Sequence, residues 1–387
     1  MSAGLALRIL AGVPVLSWLY LLLARGGFWR VSRLLTPAPA ARRHDRRVVA
    51  VIPARNEAAF IGATVESILG QDYAGAIHVI VVDDGSDDDT ARVARDAAAG
   101  MGASAKLTVI PGAPLPPGWT GKVWAMRQGA AAAAALGPDY LLFTDADIHH
   151  DPANIADLVA RAEAGGLDLV SYMVTLPAAS FAEKSLIPAF VFFFLMLYPP
   201  AWIASTRSRM AGAAGGCMLM RPSALARIGG LEAIRSQLID DCSLARATKA
   251  AGGSIWLGLT RTARGIRPYG SFAEIGRMIS RSAFNQLGHS YLLLAATVAG
   301  LFVTYLLPPL LLLSADRPSA LLGAAAWACM SVAYAPMVRF YGRAPLWSLC
   351  LPPIALFYAG ATVHSALQYA LRRGGRWKGR VQDLQDT

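Results

Sequence analysis

Ile77-His78-Val79-Ile80-Val81-Val82-Asp83-Asp84-Gly85-Ser86 is the stretch that decides how this chain reads. An apolar run rich in β-branched residues stops at two carboxylates, a glycine and a serine. The run has the length of a buried strand, and Asp-Gly-Ser is turn chemistry. A second run, Tyr140–Phe143, stops in the same way at Thr144-Asp145-Ala146-Asp147, and a third acidic pair, Asp240-Asp241, follows. Carboxylates at strand ends gather along one edge of a parallel sheet, where open α/β folds bind ligands. Crowded carboxylates repel one another unless a cation neutralises them. The pattern points to a metal-assisted site.

Around these runs, strands alternate with helices. Val48–Ile52 reads as a buried strand and Ala58–Gly70 as a helix. Ile77–Val82 is the next strand, followed by a helix over Asp87–Ala99, a strand at Leu107–Ile110 and an alanine-rich helix over Lys122–Leu136. Tyr140–Phe143 and Leu169–Val174 complete the strands. Such alternation implies a parallel sheet covered by helices.

The rest of the chain is unusually apolar. Of 387 residues, 55% are hydrophobic and only 16% charged, against a usual charged share of about 25%. Leu5–Ala24 is about long enough to cross a bilayer, interrupted only by Arg8. Tyr291–Leu313, Ala320–Val338 and Leu346–Leu371 are long enough too, joined by polar links at Ser314–Ser319 and Arg339–Ala344. Ser185–Ala204 is equally apolar, but it lies between the second and third acidic clusters. A single crossing there would put Asp240-Asp241 and Asp145 on opposite sides of the membrane. Pro188, Pro199 and Pro200 also interrupt it, so an interfacial or re-entrant element is expected.

The net charge of +11 does not indicate nucleic acid, because the basic residues crowd beside apolar spans. Arg25, Arg30, Arg33, Arg42, Arg43, Arg46 and Arg47 follow the first span, and Arg372, Arg373, Arg376, Lys378 and Arg380 follow the last. Basic residues after the first span place the next domain in the cytoplasm. One span before that domain and three after it would leave the basic tail outside, so one late block is expected to be re-entrant or interfacial. A cleaved signal peptide fits less well, since the run is long and no A-x-A site follows. The expected plan is an anchor over 1–25, a basic linker over 26–47 with prolines in Thr36–Ala41, a catalytic domain over 48–288, a membrane region over 289–371 and a basic tail over 372–387. Cys217, Cys242, Cys329 and Cys350 form no CxxC pair, and neither a disulfide framework nor a zinc site is indicated.

Each motif also has a plain structural reading. Asp84-Gly85-Ser86 alone is a turn before a capped helix, and Asp240-Asp241 alone caps a helix over Cys242–Ala250. Asp145-Ala146-Asp147 suits a hard divalent cation, Mg²⁺ or Mn²⁺, which takes oxygen ligands and keeps substrate phosphates as partners. Asp240-Asp241 suits a general base that takes a proton from an attacking hydroxyl. His149 and His150 are candidates to complete a metal shell, but they read more simply as the start of a solvated loop before Asp151-Pro152.

Taken together the motifs carry a resemblance. Pro53-Ala54-Arg55-Asn56-Glu57, Asp83-Asp84-Gly85-Ser86, Gly121-Lys122-Val123-Trp124-Ala125-Met126, Asp145-Ala146-Asp147, Gly215-Gly216-Cys217, Ile228-Gly229-Gly230 and Asp240-Asp241 occur in the order found in family 2 glycosyltransferases of the GT-A fold. The chain resembles that family from about Val48 to Leu287. The resemblance implies a Rossmann-like, mixed and mainly parallel α/β sheet. It implies a nucleotide-sugar donor, expected to be a UDP-sugar, contacted by Pro53, Ala54, Glu57, Asp83, Asp84, Lys122 and Asp145. It further implies Asp145 and Asp147 as metal ligands and Asp241, with Asp240, at the base of an inverting displacement. Processive members carry QxxRW, whereas here Arg277-Met278-Ile279-Ser280-Arg281-Ser282 keeps only the arginine, which argues against a polymer synthase. Arg281 remains a candidate to assist the diphosphate.

Trp119-Thr120-Gly121-Lys122, Ile239-Asp240-Asp241-Cys242-Ser243-Leu244 and the span arrangement are most similar to hopanoid-biosynthesis-associated glycosyltransferases of bacteria, which share the layout of ceramide glucosyltransferases. That similarity implies a lipid acceptor and a multi-pass bacterial inner-membrane enzyme. The rivals are a polysaccharide synthase of the same family, and a non-catalytic membrane scaffold or transporter. All the acidic positions are present, and the late apolar blocks are nearly free of charge, with His364 the main exception. Both facts count against scaffold and transporter.

Overall fold

The computed structural model describes residues 3–35 and 45–371, and the backbone of 376–377 and 380–381. The expected linker Thr36–Ala41, and Arg42, Arg43, Arg372, Arg373 and Lys378, lie outside the described residues. Among the described residues the chain forms two compact units, one holding 45–177 and 202–268, the other 3–34, 178–201 and 269–371.

The first unit is built on an eight-stranded sheet. Its strands are β1 (Val48–Ala54), β2 (Ile77–Asp83), β3 (Leu107–Pro111), β4 (Tyr140–Phe143), β5 (Ile148–His150), β6 (Leu169–Thr175), β7 (Met218–Met220) and β8 (Ile255–Gly265). Their spatial order is β3-β2-β1-β4-β7-β6-β8-β5. β3, β2, β1 and β4 run parallel, with Val48 opposite Ile77 and Val51 opposite Phe143. β7 is antiparallel to both β4 and β6, β6 is parallel to β8, and β5 closes the edge antiparallel to β8. The sheet is thus mixed and mainly parallel, as expected.

β1 is buried along its whole length, which is why it reads as a continuous apolar run rather than an alternating one. Helix Ile61–Leu69 turns Ile61, Val65 and Ile68 inward over one face. Helix Gly121–Ala134 packs so close to β1 and β2 that a Cβ on Gly129 would stand 2.4 Å from Val51 Cγ1. Three strands of this sheet were not foreseen. β5 and β7 are too short to show a period. β8 carries Gly258, Thr260 and Thr262 inside its run, because its buried face is interrupted.

The second unit is helical. Among the described residues, five segments are long and apolar enough to cross a membrane by length and composition, namely Gly4–Leu23, Phe181–Ala204, Tyr291–Leu311, Arg317–Phe340 and Pro345–Ala370. The charge that interrupts the first of them is matched. Arg8 Nη2 lies 2.8 Å from Asp316 Oδ1, and Asp316 caps helix Arg317–Phe340 by accepting from Ser319 N at 3.1 Å. The first helix and the helix after Asp316 therefore begin at the same end.

A second local defect is also compensated. Pro308 has no N–H to give the carbonyl of Thr304, and the helix passes through a π turn over Phe302–Leu306. The Trp18 indole supplies the missing donor, 2.9 Å from Thr304 O.

Residues 178–201 and 269–288 fall in this helical unit rather than in the expected 48–288 domain. The cause is their packing. Phe193 stacks edge-on to Tyr305 and Tyr358, and Phe284 N donates to Ser365 Oγ at 3.0 Å.

Candidate active site

The carboxyl ends of β1 and β2 are laced into one surface. Asn56 sits in the left-handed region at φ 53°, which an asparagine tolerates better than most residues. That conformation lets its N–H donate to Ser86 Oγ at 3.0 Å while its side-chain oxygen accepts from Asp87 N at 2.8 Å. Arg55 donates to the carbonyls of Asp84 and Gly85. Asp83 accepts from Ser86 N at 3.0 Å and from its hydroxyl at 2.5 Å. Glu57 and Asp84 are buried, as are the side chains of Pro53 and Ala54. Ser86 caps no helix, since the next one begins at Thr90.

The Asp145-Ala146-Asp147 turn is fixed from both sides. Thr64, on helix Ile61–Leu69, donates to the carbonyl of Ala146 at 2.8 Å. Thr144 donates to the carbonyl of Gly216 at 2.8 Å, which ties this turn to the Gly215-Gly216 segment.

The expectation of a solvated loop at His149 and His150 is corrected, because both lie on β5. His150 is buried, with Nε2 3.0 Å from Thr144 Oγ1 and Nδ1 2.9 Å from Asn154 Nδ2. Burial first, and His149 second, push its pKa down to about 3. It is a neutral strut for the Thr144 turn, not a metal ligand. His149 lies 3.5 Å from Asp151.

Lys122, on the first turn of helix Gly121–Ala134, gathers the acidic clusters. Its Nζ stands 2.8 Å from Asp145 Oδ1 and 3.1 Å from Asp240 Oδ2. Burial alone would depress the ammonium pKa, but Asp145 and then Asp240 outweigh it and hold the lysine above its usual range.

Helix Asp240–Ala250 begins at Asp240 itself, with Ile239 at the cap position, so the expected capping role of this pair is corrected. Asp241 is instead held by backbone. Its Oδ2 accepts from Gly215 N at 2.8 Å and its Oδ1 from Cys242 N at 2.6 Å. A Cβ on Gly215 would stand 3.3 Å from both Asp241 Oδ2 and Lys122 Nζ, close enough that these side chains would have to shift. Burial, and then the charge of Asp240, raise the Asp241 pKa to about 6, against the pull of Lys122.

Arg267, just beyond β8, carried no signal in the sequence. Its Nε donates to Asp147 Oδ2 at 2.7 Å, its Nη2 pairs with Glu57, and its guanidinium lies over the Phe60 ring. Arg281 belongs to the helical unit, exposed at the end of helix Phe272–Ser280.

The donor set fits a hard divalent cation. Asp145 and Asp147 are carboxylates, still 37% and 23% exposed, and each is already drawn to a positive charge. Among the described residues no group of three or more candidate ligand side chains gathers. A cation on this pair would thus keep substrate oxygens and water in its remaining positions.

A mixed sheet with a DxD turn beyond β4 and a further acidic pair drawn to it by a lysine defines a glycosyltransferase domain of the GT-A fold. Residues 49–229, just under half of the chain, match the family described as Glycosyl transferase family 2, and the chain is a glycosyltransferase. The fold is similar to that of the mannosyltransferase PcManGT from Pyrobaculum calidifontis, solved in complex with GDP-Man and Mn²⁺. The similarity covers 93% of this chain and 99% of that one, at a TM-score of 0.54 and 18% identity. A glucosyl-3-phosphoglycerate synthase from Mycobacterium tuberculosis, in complex with Mg²⁺ and uridine-diphosphate, covers 63% of this chain and 79% of its own, at a TM-score of 0.41 and 21% identity. Comparison with curated proteins gave no match.

Proposed function

We propose that the chain transfers a sugar from a UDP-sugar to the hydroxyl of a membrane lipid, with inversion, at the cytoplasmic face of a bacterial inner membrane. A lipid of hopanoid biosynthesis is the acceptor class that the motif resemblance favours. The observation that carries the reading is the meeting of Asp145 and Asp240 on Lys122, with Asp241 held beside them by Gly215 N.

The residues divide the work. Glu57, Asp83 and Asp84 stand at the carboxyl ends of β1 and β2, where the nucleoside would bind against Asp83, the half-buried one of the three. Lys122 holds positive charge where the diphosphate departs. As the acceptor oxygen bonds to the anomeric carbon, the bond from that carbon to the diphosphate oxygen breaks and UDP leaves. The hydroxyl proton passes to Asp241, whose raised pKa makes it a stronger base than an ordinary aspartate. Mg²⁺ or Mn²⁺ on Asp145 and Asp147 would offset charge on the departing diphosphate.

The apolar helices support a lipid acceptor, because an enzyme acting on a bilayer lipid must work at the membrane surface. The chain leaves the sheet after β6 and returns to it at β7 around residues 178–201. That path supports a segment that enters and leaves the membrane on one side. The Arg8–Asp316 pair supports placing Ser314–Ser319 on the side where the first helix begins.

The test uses full-length protein in lipid nanodiscs with UDP-sugars, Mn²⁺ and a bacterial lipid extract. UDP release that requires the lipid fraction is expected. Release only with a soluble glycan acceptor would remove the lipid reading, and failure to bind UDP would remove the donor.

A further inference from the structure

We propose that Arg267 is a positioning residue that couples donor binding to metal binding, by holding Asp147 and Glu57 on one guanidinium. The inference rests on the donor and metal reading above. Three observations fix the arginine. Its Nε lies 2.7 Å from Asp147 Oδ2 and its Nη2 pairs with Glu57. Its guanidinium stacks over Phe60, 4.4 Å from the ring centre. Its backbone is set by strand pairing, since Ile148 lies opposite Gly265 and Ile266 N donates to the carbonyl of Asp147 at 2.9 Å.

The fork geometry of arginine lets one charge serve two carboxylates in a fixed orientation, which an ammonium does less well. Glu57 belongs to the loop that faces the nucleoside and Asp147 to the metal turn. While Arg267 stays on Asp147, it competes with a divalent cation for the same carboxylate. A donor brings diphosphate charge that draws the guanidinium off Asp147, and the cation then binds without that competitor. Donor and cation thus help each other in, through this residue as well as through any direct contact between them. Such a coupling is reciprocal and typically worth about 5- to 150-fold in affinity.

The test measures Mn²⁺ binding by calorimetry and by electron paramagnetic resonance of free Mn²⁺, with and without UDP, on full-length protein. Arg267→Met should bind Mn²⁺ alone about fivefold or more tightly than the wild type, and the enhancement by UDP should shrink. Arg267→Lys should fall between the two. A purely structural arginine predicts the opposite sign, with lower stability and weaker Mn²⁺ binding. Glu57→Gln gives an independent reading if Arg267→Met does not fold. It leaves the guanidinium charge on Asp147 alone, so Mn²⁺ by itself should bind more weakly than to the wild type. Unchanged or weaker Mn²⁺ binding in Arg267→Met, or unchanged binding in Glu57→Gln, overturns the coupling. A wild type that binds neither UDP nor Mn²⁺ sinks the donor and metal reading together with it.

Discussion

At the amino-terminal edge of the sheet, Glu163 is held by two arginines, Arg46 at 3.3 Å and Arg221 at 3.0 Å, and Asp168 is held by Arg227 at 2.9 Å. At the carboxyl edge the sharing runs the other way. Lys122 divides its charge between Asp145 and Asp240, and Arg267 divides its own between Asp147 and Glu57. Both edges gather acids from distant parts of the chain. One edge closes its acids with a full complement of cations. The other stretches each cation over two acids, which leaves room for the positive charge that the proposed divalent ion would supply.

The largest effect expected from breaking this contrast is at Asp241. Asp241→Asn removes the proposed base without touching Asp145 or Asp147. Turnover should fall about a hundred- to ten-thousandfold, while calorimetry with UDP and Mn²⁺ shows binding close to that of the wild type. Normal turnover in this variant would place the base elsewhere, and Asp240, on the same Lys122, would be next in line.

Lys122→Met comes second. It leaves Asp145 and Asp240 facing each other without their shared cation. A lost hydrogen bond to a charged group costs roughly 1.5–3 kcal/mol, so urea denaturation should show a loss of about that size. Turnover should drop about a hundredfold if the ammonium also stabilises the departing diphosphate. A variant with wild-type stability would mean that Lys122 is not what holds the acids together.

The pH profile sharpens the comparison by a smaller factor. Asp241 must be ionised to accept a proton, and its pKa in the free site is raised to about 6. kcat/KM should therefore be level above that value and fall about tenfold per unit below it. A profile flat down to pH 4.5 would show that an ordinary carboxylate, or none, does this work.

The carboxyl edge was largely legible in the sequence and its cations were not. β1, β2 and β4 could be read because strands buried on both faces give unbroken apolar runs, and the acids at their ends follow directly. β5 was missed because it is three residues long and carries two polar histidines, of which His150 is buried and bonded to Thr144 and Asn154. Lys122 was expected to touch the donor, but its placement on Asp145 and Asp240 depends on how helix Gly121–Ala134 lies on the sheet. Arg267 left no local mark at all. It meets Asp147 only because β5 pairs with β8, a contact between strands more than a hundred residues apart.

The smallest effect belongs to the amino-terminal edge, and it tests whether the contrast is about function. Arg46→Ala removes a side chain that is 45% exposed and pairs with Glu163 and Asp139. Glu163 keeps Arg221 at 3.0 Å and its hydrogen bond from the Tyr140 hydroxyl at 2.5 Å, so no buried charge is left alone. Exposed ion pairs contribute little and are screened by salt. Urea denaturation should show a small loss that fades in high salt, and UDP release should match the wild type. If Arg46→Ala slowed sugar transfer as Lys122→Met does, the two edges would not be separate in function, and the sharing of cations would no longer mark the active site.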